Sequence, residues 1–310
     1  MKPLSRLNFL KKIYVRTISI MSFTSILLSC KAQQVKVEMP FNKDNNSLLW
    51  EVSGKGLKQK SYLFGTFHLM CKGDIQFSNQ LKTAVANATE VYMELDMDDP
   101  SILLGGMMMM NMKNGKKLKD LYSVEDYEKI STFFKDSLHM PITLLESVKP
   151  YFLVAMMYPK MMPCKSVSGV EEELVKLAKQ NKKEIKGLET LEFQAAVFDS
   201  IPYETQAKEL LKSIDSMQAY TGYFDTMVQV YKNQQLDKMV DLFKDDQFGM
   251  EEYQDVLLDK RNANWVTQLK SIMQKEGVFV AVGAGHLVGD KGLIALLKKE
   301  GYTLKPVLNK

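Results

Sequence analysis

The sequence predicts an α/β fold: a mainly parallel sheet built from two βαβ units that carry Gly-x-x-His turns, with a helical middle region covering it. Two observations predict it. Segments at opposite ends of the chain share one pattern, an apolar strand, a Gly-x-x-His turn, a helix and a second strand. The long stretch between them has apolar residues at helical spacing.

The first unit runs from Ser61-Tyr-Leu-Phe-Gly65-Thr-Phe-His68 through a helical Ser78 to Asn87 into the strand Glu90-Val-Tyr-Met-Glu94-Leu-Asp96. The second runs from Val278-Phe-Val-Ala-Val-Gly283-Ala-Gly-His286 through Lys291 to Glu300 into Tyr302 to Val307. Strand, helix and strand in that order argue for parallel pairing. Between the units, Ser123-Val-Glu-Asp126 opens a helix in capping-box fashion. Glu171 to Gln180 is amphipathic, and Asn181 to Thr190 reads as an edge strand and turn. Tyr203 to Tyr231 and Glu251 to Glu276 read as two long helices.

The N-terminus has the order of an export signal. Lys2, Arg6, Lys11, Lys12 and Arg16 precede the apolar run Thr17 to Leu28, and Ser29-Cys30 follows. Leu27-Leu28-Ser29-Cys30 resembles a lipobox, so residues 1–29 are expected to be a lipoprotein signal peptide and Cys30 the lipidated first residue. A transmembrane helix is the alternative, but the run is shorter than the ~20 residues a bilayer needs. Residues 30–46 then form a tether and 47–310 the folded domain. The expected location is the cell envelope, anchored to a bacterial membrane and facing periplasm or cell surface.

The whole chain carries 41 basic and 37 acidic residues. Without the five bases of the signal, 36 bases face 37 acids, a formal −1. No excess of positive charge remains for nucleic acid, and none is expected as a partner. Besides Cys30 there are two cysteines, Cys71 and Cys164. An even pair outside the cytoplasm favours a disulfide between them, with two inert thiols as the alternative. Met107 to Met110, Met112, Met156, Met157, Met161 and Met162 offer thioethers for Cu(I) or for adaptable packing; with no Cys or His beside them, packing is the expectation.

Of three histidines, His68 and His286 follow apolar strands by the same Gly-x-x spacing, whereas His139 sits in a loop as a surface residue. A tight turn after each strand sets its histidine beyond the strand's carboxyl end, where open parallel sheets bind ligands. Glu94 ends another strand and reaches the same edge. Two imidazoles and a carboxylate suffice to ligate Zn(II) or a similar divalent ion, with positions left for water and substrate. Such a centre suits hydrolysis of an amide or ester. The alternative is two satisfied histidines at strand ends.

The blocks Ser61 to His68, Val91 to Asp96, Lys186-Gly-Leu-Glu-Thr190, Arg261-Asn262-x-x-Trp265 and Val282-Gly-Ala-Gly-His286 resemble, in order, those of the TraB/GumN family. That family is related to the Tiki metalloproteases and more distantly to erythromycin esterases and ChaN-like proteins. The resemblance implies a Tiki-like fold, a divalent metal (Mn, Co or Zn) on His68, Glu94 and His286, and proteolysis of a peptide or protein substrate. Arg261 and Glu189 match further blocks, where they orient substrate, stabilise an oxyanion, or form a structural ion pair. Ser168-Gly-Val-Glu171 departs from the pattern by carrying Glu where Asp is expected. The competing function is a non-catalytic lipoprotein that holds a peptide or haem-like ligand in the same cleft.

Overall fold

The computed structural model describes residues 46–244 and 251–309. The expected signal segment, Cys30 and all of the expected tether except Asn46 lie outside the described residues. Asn46 is already tied to the folded body, its Nδ2 donating to Asp237 Oδ1 at 2.7 Å.

Six strands form the main sheet: β1 (Leu49–Ser53), β2 (Ser61–Thr66), β4 (Glu90–Met93), β6 (Glu184–Gly187), β7 (Phe279–Gly283) and β8 (Thr303–Val307), in the order β6-β4-β7-β2-β1-β8. The neighbours β6, β4, β7 and β2 are parallel, while β1 is antiparallel to both β2 and β8. The sheet is therefore mainly parallel, as the sequence predicts. The short pair β3 (Met70–Cys71) and β5 (Val167–Ser168) stands apart as a second, two-stranded sheet. Neither that pair nor β1 is among the sequence expectations. The run Leu48 to Val52 before the turn Gly54-Lys55-Gly56 is the signal that marks β1.

The central strands owe their position to composition. Val91, Tyr92 and Met93 of β4 and Phe279 to Val282 of β7 are buried in succession, as strands covered on both faces require. β2 leads through α1 (Asn79–Asn87) to β4 and leaves a gap that the late strand β7 fills, pairing Met93 with Ala281 and Thr66 with Gly283. β7 leads through α11 (Leu293–Lys299) to β8 in the opposite direction along the sheet. Right-handed crossovers then put α1 and α11 on opposite faces. There α1 packs with α5 (Val170–Gln180) and α11 with α10 (Lys260–Lys275).

The middle of the chain is helical: α2 (Pro100–Met109), α3 (Val124–Leu138), α4 (Pro150–Met161), α6 (Leu191–Asp199), α7 (Tyr203–Asp215), α8 (Met217–Lys232) and α9 (Leu236–Lys244). Ser123 caps α3 by accepting from Asp126 N at 3.1 Å. The expected helix over Tyr203 to Tyr231 is two helices, broken at Ser216, whose backbone leaves helical geometry (φ −114°, ψ 29°). No Pro or Gly marks the break, so propensity is silent there. The expected helix from Glu251 starts as a 3₁₀ turn and the π turn Asp255–Asp259 before α10 begins. Met112, Met157, Met161 and Met162 are buried among core residues. No helix of the described residues is long and apolar enough to cross a membrane.

Candidate functional site

Parallel pairing places the carboxyl ends of β6, β4, β7 and β2 along one edge. Glu189 follows β6, Glu94 follows β4, His286 ends the 3₁₀ turn after β7, and His68 follows β2. Gly283 lies at their centre. A Cβ built there would lie 3.4 Å from Glu94 Oε1, 3.7 Å from His286 Cδ2 and 3.9 Å from His68 Nε2. The two histidines and the glutamate singled out in the sequence thus face one space. The glycine keeps it open, and its N–H donates to Glu94 Oε1 at 2.9 Å. His139 is far from this edge in character: exposed, and ending α3 in the left-handed region with φ 54°.

Arg261, at the start of α10, ties the site together with all five of its N–H donors. Nε donates to Glu189 Oε1 at 3.0 Å, and Nη2 donates to Glu189 Oε2 at 2.9 Å and to Glu94 Oε2 at 2.6 Å. Nη1 donates to the Leu257 carbonyl at 2.9 Å and to His286 Nε2 at 3.2 Å. The guanidinium therefore acts on its surroundings by charge and by fixing Glu94, with no spare donor.

The next residue decides the state of His286. Asn262 Nδ2 donates to the Lys291 carbonyl at 2.9 Å, which turns its Oδ1 toward His286 Nδ1, 2.7 Å away. An amide oxygen only accepts, so Nδ1 carries the proton. Arginine only donates, so Nε2 presents a lone pair. Burial pushes the His286 pKa down to about 3, with the Arg261 and His68 charges adding to burial and Glu94 opposing it. Trp265, one turn further along α10, packs on the ring at a centroid distance of 4.4 Å. One helical turn thus serves a single imidazole.

His68 has a different partner. Its Nδ1 lies 2.8 Å from Glu171 Oε1, at the start of α5. The Glu171 carboxylate raises the His68 pKa to about 9 against the opposing effect of burial, so the ring is charged at neutral pH. Its side chain is 78% accessible and lines a cavity. The β3/β5 pair and a disulfide between Cys71 and Cys164 (Cα–Cα 5.9 Å) hold the two segments together. Val170 N donates to the Phe67 carbonyl at 3.0 Å, and a Cβ on Gly169 would come within 2.8 Å of the His68 carbonyl oxygen. The close approach needs glycine.

Glu94 is largely withdrawn from solvent, which raises its pKa, but His286, Arg261, His68 and the Gly283 N–H outweigh that and lower it to about 2. Gln194 bridges it to Glu189, at 3.3 Å from each. Gln194 is absent from the sequence expectations. Glu171 and Asn262 appear in them without a role; helical spacing, which sets Arg261 and Trp265 on one face of α10, was the available signal.

Among the described residues, no three His, Cys, Asp or Glu side chains are gathered tightly enough to hold a metal ion. The donor set nonetheless suits one. Both imidazoles have Nδ1 held by an outer acceptor and Nε2 on the inner side, the arrangement that orients metal-ligating histidines. Glu94, Glu189 and Glu171 face Arg261 and a protonated His68. Loss of the His68 proton leaves a deficit of two charges, the amount a divalent ion supplies. Binding at His286 Nε2 requires Arg261 Nη1 to give up that contact.

Comparison with known proteins bears on the same residues. The sequence model of the TraB/PrgY/gumN family matches residues 48–306. The chain belongs to this family. The chain is also similar to metalloprotease TIKI1 of Danio rerio, 22% identical over 320 positions that cover 84% of this chain and 63% of that protein. It thus spans less than two thirds of the relative's length. No solved structure matches it. For this TraB/PrgY/gumN member, the matched span contains every residue of the site, from His68 to His286.

Proposed function

We propose that the chain is a metal-dependent hydrolase of peptide bonds, held at a bacterial membrane through lipid on Cys30. The observation that carries the hydrolase reading is the convergence of His68, Glu94 and His286 around Gly283, with each imidazole Nδ1 engaged from behind. The similarity to a metalloprotease supports the same reaction class. His68 Nε2, Glu94 and His286 Nε2 would hold the ion, which when bound lowers the pKa of water and polarises a carbonyl. Arg261 and Gly283 N–H fix the Glu94 carboxylate, Asn262 keeps the lone pair of His286 on Nε2, and Glu171 accepts a hydrogen bond from His68 Nδ1–H, so that the one proton His68 gives up is that on Nε2. The Arg261 charge, beside Glu94 and His286, would stabilise a developing oxyanion at this edge.

One observation favours a second reading, a binding protein without turnover: the Arg261 guanidinium stands against His286 Nε2, where an ion would bind. Elemental analysis after loading with Mn, Co, Zn or Fe, beside peptidase assays with and without chelator, separates the two. The hydrolase reading expects a stoichiometric ion, chelator-sensitive cleavage, and sharply weaker metal binding in His68→Ala, Glu94→Ala and His286→Ala. Wild-type protein that takes up no ion ends it. For the anchor, fatty-acid labelling should disappear in Cys30→Ser, and persistence of the label would remove that part of the proposal.

A further inference from the structure

The polar edge is only the floor of a cavity of about 430 Å³. Its walls come from the helical middle region: Phe152 and Ala155 of α4, Phe198 of α6, Phe224 of α8, Leu242 of α9, and Leu257 of the π turn. Their rings support one another, Phe152 against Phe198 at 5.0 Å and Tyr158 stacked on Phe224 at 5.1 Å. Glu209, Ser213 and Tyr223 add polar atoms, with Glu209 accepting from Tyr220 Oη at 3.3 Å. A centre built only to activate water needs no such wall. The volume lies in the range of ~300–1000 Å³ that takes a whole ligand.

We propose that this wall is a specificity pocket for two or more bulky apolar side chains of a peptide, aromatic or long aliphatic, flanking the bond presented to Glu94, His68 and His286. The inference rests on the peptide-bond reading of the floor. A peptide has the matching division: polar backbone for the charged edge and side chains for the wall. Continuity argues for one occupant, because Phe67, His68, Leu257 and Arg261 line the same space.

Ala155 offers a test that spares the core, since its small side chain is exposed to the cavity. Metal-free protein is titrated with two labelled peptides of equal length and charge, one with adjacent Phe and Leu and one with Ser in their place, followed by anisotropy. Metal-loaded protein is assayed for cleavage of the same pair. Wild type should prefer the apolar peptide by about 10-fold or more, the discrimination apolar pockets give for small differences in size. Ala155→Phe should remove about 10-fold of that preference with metal uptake and melting unchanged, and Ala155→Leu should do so in part if the larger ring prevents folding.

Preferential binding without cleavage under any metal overturns the hydrolase reading and keeps the pocket. Cleavage without preference overturns the pocket and keeps the hydrolase. Equal binding of both peptides, an inert Ala155→Phe, or capture of a free fatty acid in place of either peptide overturns the proposal.

Discussion

The two Gly-x-x-His turns have one pattern and opposite chemistry. His68 meets a carboxylate, Glu171, and is held charged, with its pKa raised to about 9. His286 meets an amide, Asn262, inside the protein, and is held neutral, with its pKa pushed down to about 3. Strand and spacing decide where an imidazole stands; the residue behind Nδ1 and the degree of burial decide its charge. Each turn is also held differently: the first by a small sheet and a disulfide, the second by one turn of α10. Perturbing one anchorage should therefore move one ring and leave the other.

The largest effect is expected at the disulfide. It closes a separation of 93 residues, and removing a bridge of this kind costs about 2–5 kcal/mol. Cys71→Ser with Cys164→Ser should lose that much stability in chemical denaturation. In NMR titration of the folded variant, the His68 pKa should fall toward its ordinary value as Glu171 loosens, with His286 unmoved. Rings that shift together would mean the anchorages are not separate.

Next in size is Asn262. Replacing it by Leu strands the buried His286 Nδ1–H without an acceptor, for about 1–3 kcal/mol. Nitrogen chemical shifts of the ring should show loss of the single Nδ1–H tautomer. Asn262→Asp sharpens the comparison by giving the second turn the partner type of the first, and the His286 pKa should rise. An unchanged tautomer in Asn262→Leu would show that Arg261 alone sets it.

Placement of every main-sheet strand except β1 was legible in the sequence because it depends on local pattern. Val91 to Met93 of β4 and Phe279 to Val282 of β7 are unbroken apolar runs, and Gly65 near the end of β2 and Gly283 at the end of β7 are visible as letters. The convergence of Glu94 with both histidines follows from parallel pairing alone. What stayed hidden depends on approach across the fold. Glu171 reaches His68 because β5 lies on β3, and two-residue strands leave no periodic trace. Gln194 reaches Glu94 from a helix 100 residues away. The break at Ser216, which separates two wall-forming helices, has no breaker residue to announce it.

A smaller effect belongs to Glu171→Gln, and its pH dependence has a definite sign. The folded pKa of His68, about 9, lies above the ordinary value near 6.5, so the pair contributes fully below about pH 6.5 and is lost as pH rises through about 9. The lowered Glu171 pKa sets the acid side, where the contribution fades below about pH 4.5. Because the His68 ring is open to solvent in the cavity, the size is that of a screened pair, about 1 kcal/mol or less. The stability gap between metal-free wild type and variant should be widest between about pH 4.5 and 6.5 and vanish near pH 9. A gap that widens with rising pH would refute the charge assigned to His68.

The smallest effect is expected at the third histidine, which tests whether the turn pattern alone selects the site. His139 is exposed and ends α3 with φ 54°, a conformation that costs a non-glycine residue roughly 1–2 kcal/mol. His139→Gly relieves that strain but adds freedom to the unfolded chain, worth about 0.5–1 kcal/mol in the opposite sense. The net change in denaturation midpoint should therefore be slight and stabilising, within about 1 kcal/mol. Metal uptake, peptide binding and the titration of His68 and His286 should all match wild type. A fall in metal uptake would give His139 a share in the centre, and the assignment of its chemistry to the paired Gly-x-x-His turns would fail, however well the geometry around Gly283 fits.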